Sequence, residues 1–192
     1  MKRQLLPIFC VFVLTAFHMP AFADQKKCKA RYKAELFDQA LTACREAAIQ
    51  GDSASKFYLG MMYLNGQGIA KNDQIATRLI QESAQLGNLD AVRKMGALHQ
   101  SGTLISKNHR KACDNWAQLA SSGSAHGQER LGVCYLMGRG REKNMKLGYA
   151  YLSLAAKQGD TAAKYIIDMY GDRFPPLVKK EALQLAKQIA DN

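Results

Sequence analysis

Ser55–Gly87 reads SKFYLGMMYLNGQGIAKNDQIATRLIQESAQLG, and its landmarks return twice at a spacing of 36 residues. Leu59-Gly60 becomes Met95-Gly96 and then Leu131-Gly132, while Tyr63 becomes His99 and then Tyr135. Gly66, Gly102 and Gly138 keep the register, as do Ala76, Ala112 and Gly148, then Ala84, Ala120 and Ala156, then Gly87, Gly123 and Gly159. A fixed period of this length marks a stacked repeat, in which one unit cannot bury its apolar face alone and relies on its neighbours.

Inside the unit, the apolar residues between Phe57 and Tyr63 are dense enough for a helix covered on more than one side. Asn65-Gly66-Gln67-Gly68 stops it, with Gly66 placed to turn left-handed after the helix end. Asp73 is the expected N-cap of a second helix whose inner face carries Ile75, Ala76, Leu79, Ile80, Ser83 and Ala84, and Gly87 ends it. The unit is a helix-loop-helix hairpin. Gly60, Gly96 and Gly132 each follow a large apolar residue in mid-helix, where glycine costs ~1 kcal/mol relative to alanine. Such glycines point to close approach of the unit's own second helix, so a large residue at Gly132 is expected to open the hairpin.

Leu59-Gly60, Tyr63, Gly66, Gly68, Ile69, Asp73, Ala76, Ile80, Ser83-Ala84 and Gly87 together resemble the Sel1-like repeat, a relative of the tetratricopeptide repeat with a longer loop inside the hairpin. The third unit matches through Leu131-Gly132, Tyr135, Gly138, Gly140, Tyr151-Leu152, Ala155-Ala156 and Gly159. The second departs from the pattern: His99 replaces the aromatic residue, Leu104 the second loop glycine and His109 the acidic residue, although Trp116 keeps the aromatic position of the second helix. The resemblance implies an all-α fold, a right-handed α-solenoid of stacked antiparallel helix hairpins. Repeats are placed at 52–87, 88–123 and 124–159, within a single domain 24–192. A half-unit and cap, 24–51, comprises short helices over Lys26–Lys33 and Asp38–Gln50; a C-terminal cap, 160–192, has helices over Thr161–Tyr170 and Leu177–Ala190.

Residues 1–23 read as a cleaved signal peptide. Lys2 and Arg3 precede the apolar Leu5–Phe17, and Ala21-Phe22-Ala23 offers small residues for cleavage before Asp24. The apolar core, 13 residues, is too short to span a bilayer, so stable membrane insertion after cleavage is not expected. Cys10 lacks the small neighbours of a lipid-attachment signal. Localisation is expected to be periplasmic, with secretion as the alternative. Without Lys2 and Arg3, 25 basic residues face 16 acidic ones, a net charge of +9 that reads as a solvated basic surface or as support for an anionic envelope polymer. An exported chain is not expected to meet nucleic acid.

Four cysteines remain after export, and an oxidising compartment pairs them. Cys113 and Cys134 are symmetric about the Gly123-Ser124 turn, and Cys28 and Cys44 about Leu36, which sets each pair opposite one another on antiparallel helices. The expected disulfides are Cys28–Cys44 and Cys113–Cys134. No Cys-x-x-Cys, nucleophile elbow, paired catalytic carboxylates, His-Glu-x-x-His or phosphate-loop pattern occurs, and no catalytic residue, metal or cofactor is expected. His99, His109 and His126 are scattered, with His99 filling a slot meant for tyrosine.

Function is therefore expected at a surface. If the first helices line the concave side, as the resemblance implies, the candidate groove comprises Phe57, Met61 and Leu64, then Arg93, Ala97 and Gln100, then Glu129, Val133 and Leu136, and finally Tyr165 and Met169. Apolar patches bordered by Arg93 and Glu129 suit an amphipathic helix or extended peptide; packing of Met61 and Val133 between adjacent repeats is the competing reading. The resemblance implies an exported adaptor or scaffold that binds another envelope or secreted protein. The alternatives are an enzyme acting on peptidoglycan or a β-lactam, whose relatives carry paired cysteines inside each repeat that this chain lacks, and a binder of anionic polymer or membrane surface.

Overall fold

The computed structural model describes residues 21–191. The chain is all-α, in the order α1 (Ala21–Lys33), α2 (Phe37–Ile49), α3 (Ser53–Asn65), α4 (Asp73–Gln85), α5 (Leu89–Ser101), α6 (His109–Ser121), α7 (Ala125–Met137), α8 (Met145–Lys157), α9 (Thr161–Tyr170) and α10 (Pro176–Asp191), with a 3-10 turn at Gly171–Arg173. Successive helices pack on one another from α1 to α9, which makes a solenoid of stacked helix pairs. Most of the proposed signal peptide lies outside the described residues. Ala21–Ala23 form the first turn of α1, so this helix is longer than the sequence pattern predicts and the expected cleavage point falls within it.

Side-chain capping sets the helix boundaries. Asp52, Asn88, Ser124 and Asp160 cap α3, α5, α7 and α9, each accepting from the backbone N–H three residues on. The second helices are capped by Asn72, Asn108 and Asn144, which accept from Ile75, Lys111 and Leu147. Asp73 is therefore the first helical residue and not the cap: Asn72 has the extended backbone that a capping side chain needs, and Asp73 adds a favourable charge to the first turn. Each of the three asparagines also donates its backbone N–H to the carbonyl of Tyr63, His99 or Tyr135, closing the hairpin loop in the same way in every unit.

The small residues act at two contacts. Within a hairpin, a Cβ on Gly60 would stand 2.8 Å from Ile80 Cγ1 and 3.2 Å from the Ala76 carbonyl oxygen. Between units, Ser55, Ala91, Gly127 and Ala163 are buried at one register position near the start of each first helix. At Gly127 the approach is closest, 2.6 Å from a built Cβ to the Ala120 nitrogen of α6. The disulfides add Cys28–Cys44 across α1 and α2, with a Cα separation of 4.7 Å, and Cys113–Cys134 across α6 and α7, at 6.2 Å.

The C-terminal end changes pattern. Helix α10 packs chiefly on α8 instead of completing a hairpin with α9, burying Ala182 and Ala186 against Ala150 and Leu154. Phe174, in the connecting segment, is buried and meets Tyr149 edge-on at 4.8 Å.

Candidate functional site

The first helices α3, α5, α7 and α9 treat the proposed groove residues in three different ways. Phe57, Met61 and Leu64 pack against Ala91, Met95 and Leu98 of α5, so they fill a seam between repeats and do not line an open groove. Leu136 is buried with Leu152, Ala155, Ala163 and Phe174, and Val133 packs at the edge of the same cluster beside Ile166 and Tyr170. Glu129, assigned to the border of the groove, is instead 4% exposed and forms an ion pair with Arg130, Nε to Oε2 at 3.0 Å. Burial pushes its carboxyl above the usual glutamate range, Arg130 opposes that shift and Asp160 adds to it.

Arg93, Ala97 and Gln100 of α5 are exposed, as are Tyr165 and Met169 of α9. At the register positions where α3 carries Phe57, Met61 and Leu64, α5 thus presents a paired cation, a methyl group and an amide. These do not fill the space toward α7, and a cleft of ≈ 90 Å³ opens there, lined by Gln100 on one side and Arg130, Val133 and Met137 on the other. Its floor is Ala112, Trp116 and the Cys113–Cys134 disulfide, and His109 and Arg139 complete the rim. Phe57, Met61 and Leu64 fill the seam from α3 to α5, whereas beyond α7 a further cleft of ≈ 280 Å³ is lined by Leu136, Met137, Lys143, Met145, Tyr170, Arg173 and Phe174.

Trp116 holds the floor in place. Its ring occupies the space over Gly96, where a Cβ would stand 2.7 Å away, and His126 meets it edge-on at 5.5 Å. Burial lowers the proton affinity of His126, and Arg130 and Arg93 lower it further, so near neutral pH an uncharged imidazole backs the tryptophan. The rim carries Arg139 and Arg130, the latter paired with buried Glu129, while Arg93 elsewhere on α5 pairs with Asp90 of its own helix. The arrangement suits one apolar side chain entering beside Trp116, Val133 and Met137, flanked by acidic residues.

Gln100 and Val133 are the proposed groove residues that the fold brings together here; the sequence reading missed Trp116, Arg130, Met137, His109 and Arg139. The available signal was a loss of volume, since Met61 becomes Ala97 in a helix that must face the next unit. Two larger clefts lie between successive second helices. One of ≈ 540 Å³, between α4 and α6, is lined by Gln81, Gln85, Asn115 and Gln118 over Met95 and His99. Another of ≈ 880 Å³, between α6 and α8, exposes the stacked Tyr135 and Tyr151 beside Ile189. Among the described residues no cluster of three His, Cys, Asp or Glu side chains could hold a metal ion, and no helix is long and apolar enough to cross a membrane.

A family model described as Sel1 repeat matches residues 53–88, 89–124 and 125–160. The chain is 30% identical over 146 residues to the exopolysaccharide production negative regulator of Rhizobium meliloti (strain 1021), an alignment covering 69% of this chain and 54% of that protein. It thus spans about half the length of this curated relative. Among solved structures, a Sel1 repeat protein from Oxalobacter formigenes superposes with a TM-score of 0.63 at 29% identity, over 67% of this chain and 96% of its own. A protective antigen of uropathogenic Escherichia coli displaying an SLR fold superposes with a TM-score of 0.74 at 20% identity, over 88% of this chain and 38% of its own, a likeness of fold alone.

Proposed function

The chain belongs to the Sel1 repeat family, and from that premise we propose that it is a non-enzymatic adaptor of the periplasm that holds a peptide or helical segment of another envelope protein in the cleft between α5 and α7. The observation that carries this reading is the cleft bordered by Gln100 of α5 and by Arg130, Val133 and Met137 of α7, over an apolar floor of Ala112, Trp116 and the Cys113–Cys134 disulfide. An apolar side chain of the partner enters beside Trp116 and Met137, and an acidic neighbour meets Arg130 or Arg93. The two disulfides suit an oxidising compartment. The description of the Rhizobium meliloti relative as a negative regulator supports control of a partner in preference to turnover of a substrate.

The test is photo-crosslinking from Gln100 and Met137 in the native compartment, with Ala97→Trp, one turn before Gln100 on the same face of α5, as a variant designed to obstruct the cleft. One captured protein, lost in the Ala97→Trp variant while that variant stays folded, is the expected result. Equal capture from Lys180 on α10, or capture insensitive to Ala97→Trp, sinks the reading.

A further inference from the structure

We propose that the edge carrying the hairpin loops of the second and third units, which adjoins the α5–α7 cleft at His109 and Arg139, is a docking surface for an anionic polysaccharide. The loop after α5 and the first turn of α6 bring Lys107, Arg110 and Lys111; the loop after α7 and the first turn of α8 bring Arg139, Arg141, Lys143 and Lys146. These two segments touch, for a Cβ on Gly140 would stand 2.2 Å from the His109 carbonyl oxygen. Arg141 pairs with Asp114 at 2.7 Å and Lys146 with Glu181 at 3.4 Å. Lys107, Arg110, Lys111, Arg139 and Lys143 are exposed and form no ion pair among the described residues.

The fold does not require these charges. At equivalent positions the first unit has Gln67, Ile69, Gln74 and Ile75 in place of Arg139, Arg141, Arg110 and Lys111, and its Lys71 is answered by Asp73 at 3.4 Å. That loop still turns through Gly66 at φ 69°, is capped by Asn72 and closes on the Tyr63 carbonyl as the others close on theirs. Where Asp73 stands in the first unit, the second has His109 and the third Met145, so the acid that answers Lys71 has no counterpart beside Lys107 or Lys143; exposed Glu142, between Arg141 and Lys143, offsets only part of the charge. Unpaired like charges held together repel one another, and an incoming polyanion relieves that repulsion while releasing counter-ions.

The surface also lacks the anchors of a protein interface. Gly138–Asn144 contains no apolar residue, and in the loop after α5 only Leu104 is an exposed apolar side chain. Protein partners draw their affinity from buried aromatic and apolar anchors, which this edge does not offer. A flexible, hydrated chain of carboxylated sugars needs none.

The experiment measures binding of the purified, disulfide-bonded chain to polygalacturonate, with neutral dextran and poly-L-glutamate as comparison probes. The expected result is binding to polygalacturonate that weakens steeply between about 50 and about 200 mM salt and exceeds binding to either other probe. The triple variant Lys107→Glu, Arg110→Glu, Lys143→Glu loses about tenfold or more in affinity, whereas Lys164→Glu, Lys180→Glu, Lys187→Glu, with the same change in net charge, loses less than about threefold. Arg110→Glu places an acid in the first turn of α6, which favours the helix; if the triple variant does not fold, Lys143→Glu alone is expected to lose about threefold. No binding to polygalacturonate, equal losses in the two triple variants, no loss with Lys143→Glu alone, or equal or tighter binding of poly-L-glutamate overturns the proposal.

Discussion

A Cβ on Gly132 would stand 2.9 Å from Leu152 Cγ and 3.1 Å from both the Gly148 carbonyl oxygen and the Leu152 nitrogen. Two of these three neighbours are backbone, so nothing yields except the separation of α7 and α8. Gly132→Val is expected to destabilise by roughly 3 kcal/mol in urea denaturation through overpacking. Glu129 poses the opposite problem, a charge where burial disfavours one. Its folded-state proton affinity is raised, so the unfolded chain ionises first and stability is lost as pH rises through the folded-state value. Glu129→Gln keeps the size of the side chain, gives up the ion pair with Arg130 and carries no pH-dependent penalty. Its melting temperature is expected to exceed that of the parent at pH 7, the gap closing as pH falls into the carboxylate range. A gap that widens on acidification refutes this assignment of the cost. Gly132 was legible because the period exposes a repeated mid-helix glycine; Glu129 was not, because a helical register fixes a residue's angle and not what covers it.

Among the elements, α5 and α6 depart furthest from the repeat, and the disulfide from α6 to α7 lies beside the cleft that results. Cys113–Cys134 closes a loop of sequence separation 21. Replacing both cysteines with serine is expected to cost about 3 kcal/mol by unfolding, mainly through the freed unfolded chain. The same variant is expected to weaken crosslinking from Met137, since Cys113 and Cys134 form part of the cleft floor. Leu104 marks the same departure on the loop side: it holds φ 69° where the flanking units use Gly68 and Gly140. The loop geometry survives the substitution because the Asn108 cap and its backbone bond to His99 fix the loop from both sides.

For the whole molecule, stacking leaves two ends to be covered. At the C-terminus α10 does this by lying on α8, where Ala182 and Ala186 meet Ala150 and Leu154, with Tyr149 and Tyr151 alongside. Deleting residues 175–192 bares that face and is expected to lower the melting temperature by several degrees and to cause concentration-dependent association, read by light scattering. A truncated chain that stays monomeric with an unchanged melting temperature contradicts the capping role. The amphipathic pattern of Val178, Ala182, Leu185 and Ile189 was readable in the sequence. That α10 lies on α8 was not, because an apolar stripe does not name the surface it covers.

By itself the sequence determined the repeat, its period, the helix pairs and the small residues that let backbones meet, all of which are local or recur at fixed spacing. Only the tertiary structure decided which first-helix residues remain at the surface. Phe57, Met61 and Leu64 pack partly buried against the neighbouring helix, Glu129 and Leu136 turn inward, and Arg93, Ala97 and Gln100 stay exposed. Those outcomes depend on the volumes of side chains from two units meeting in one space, a quantity that no single unit's pattern contains.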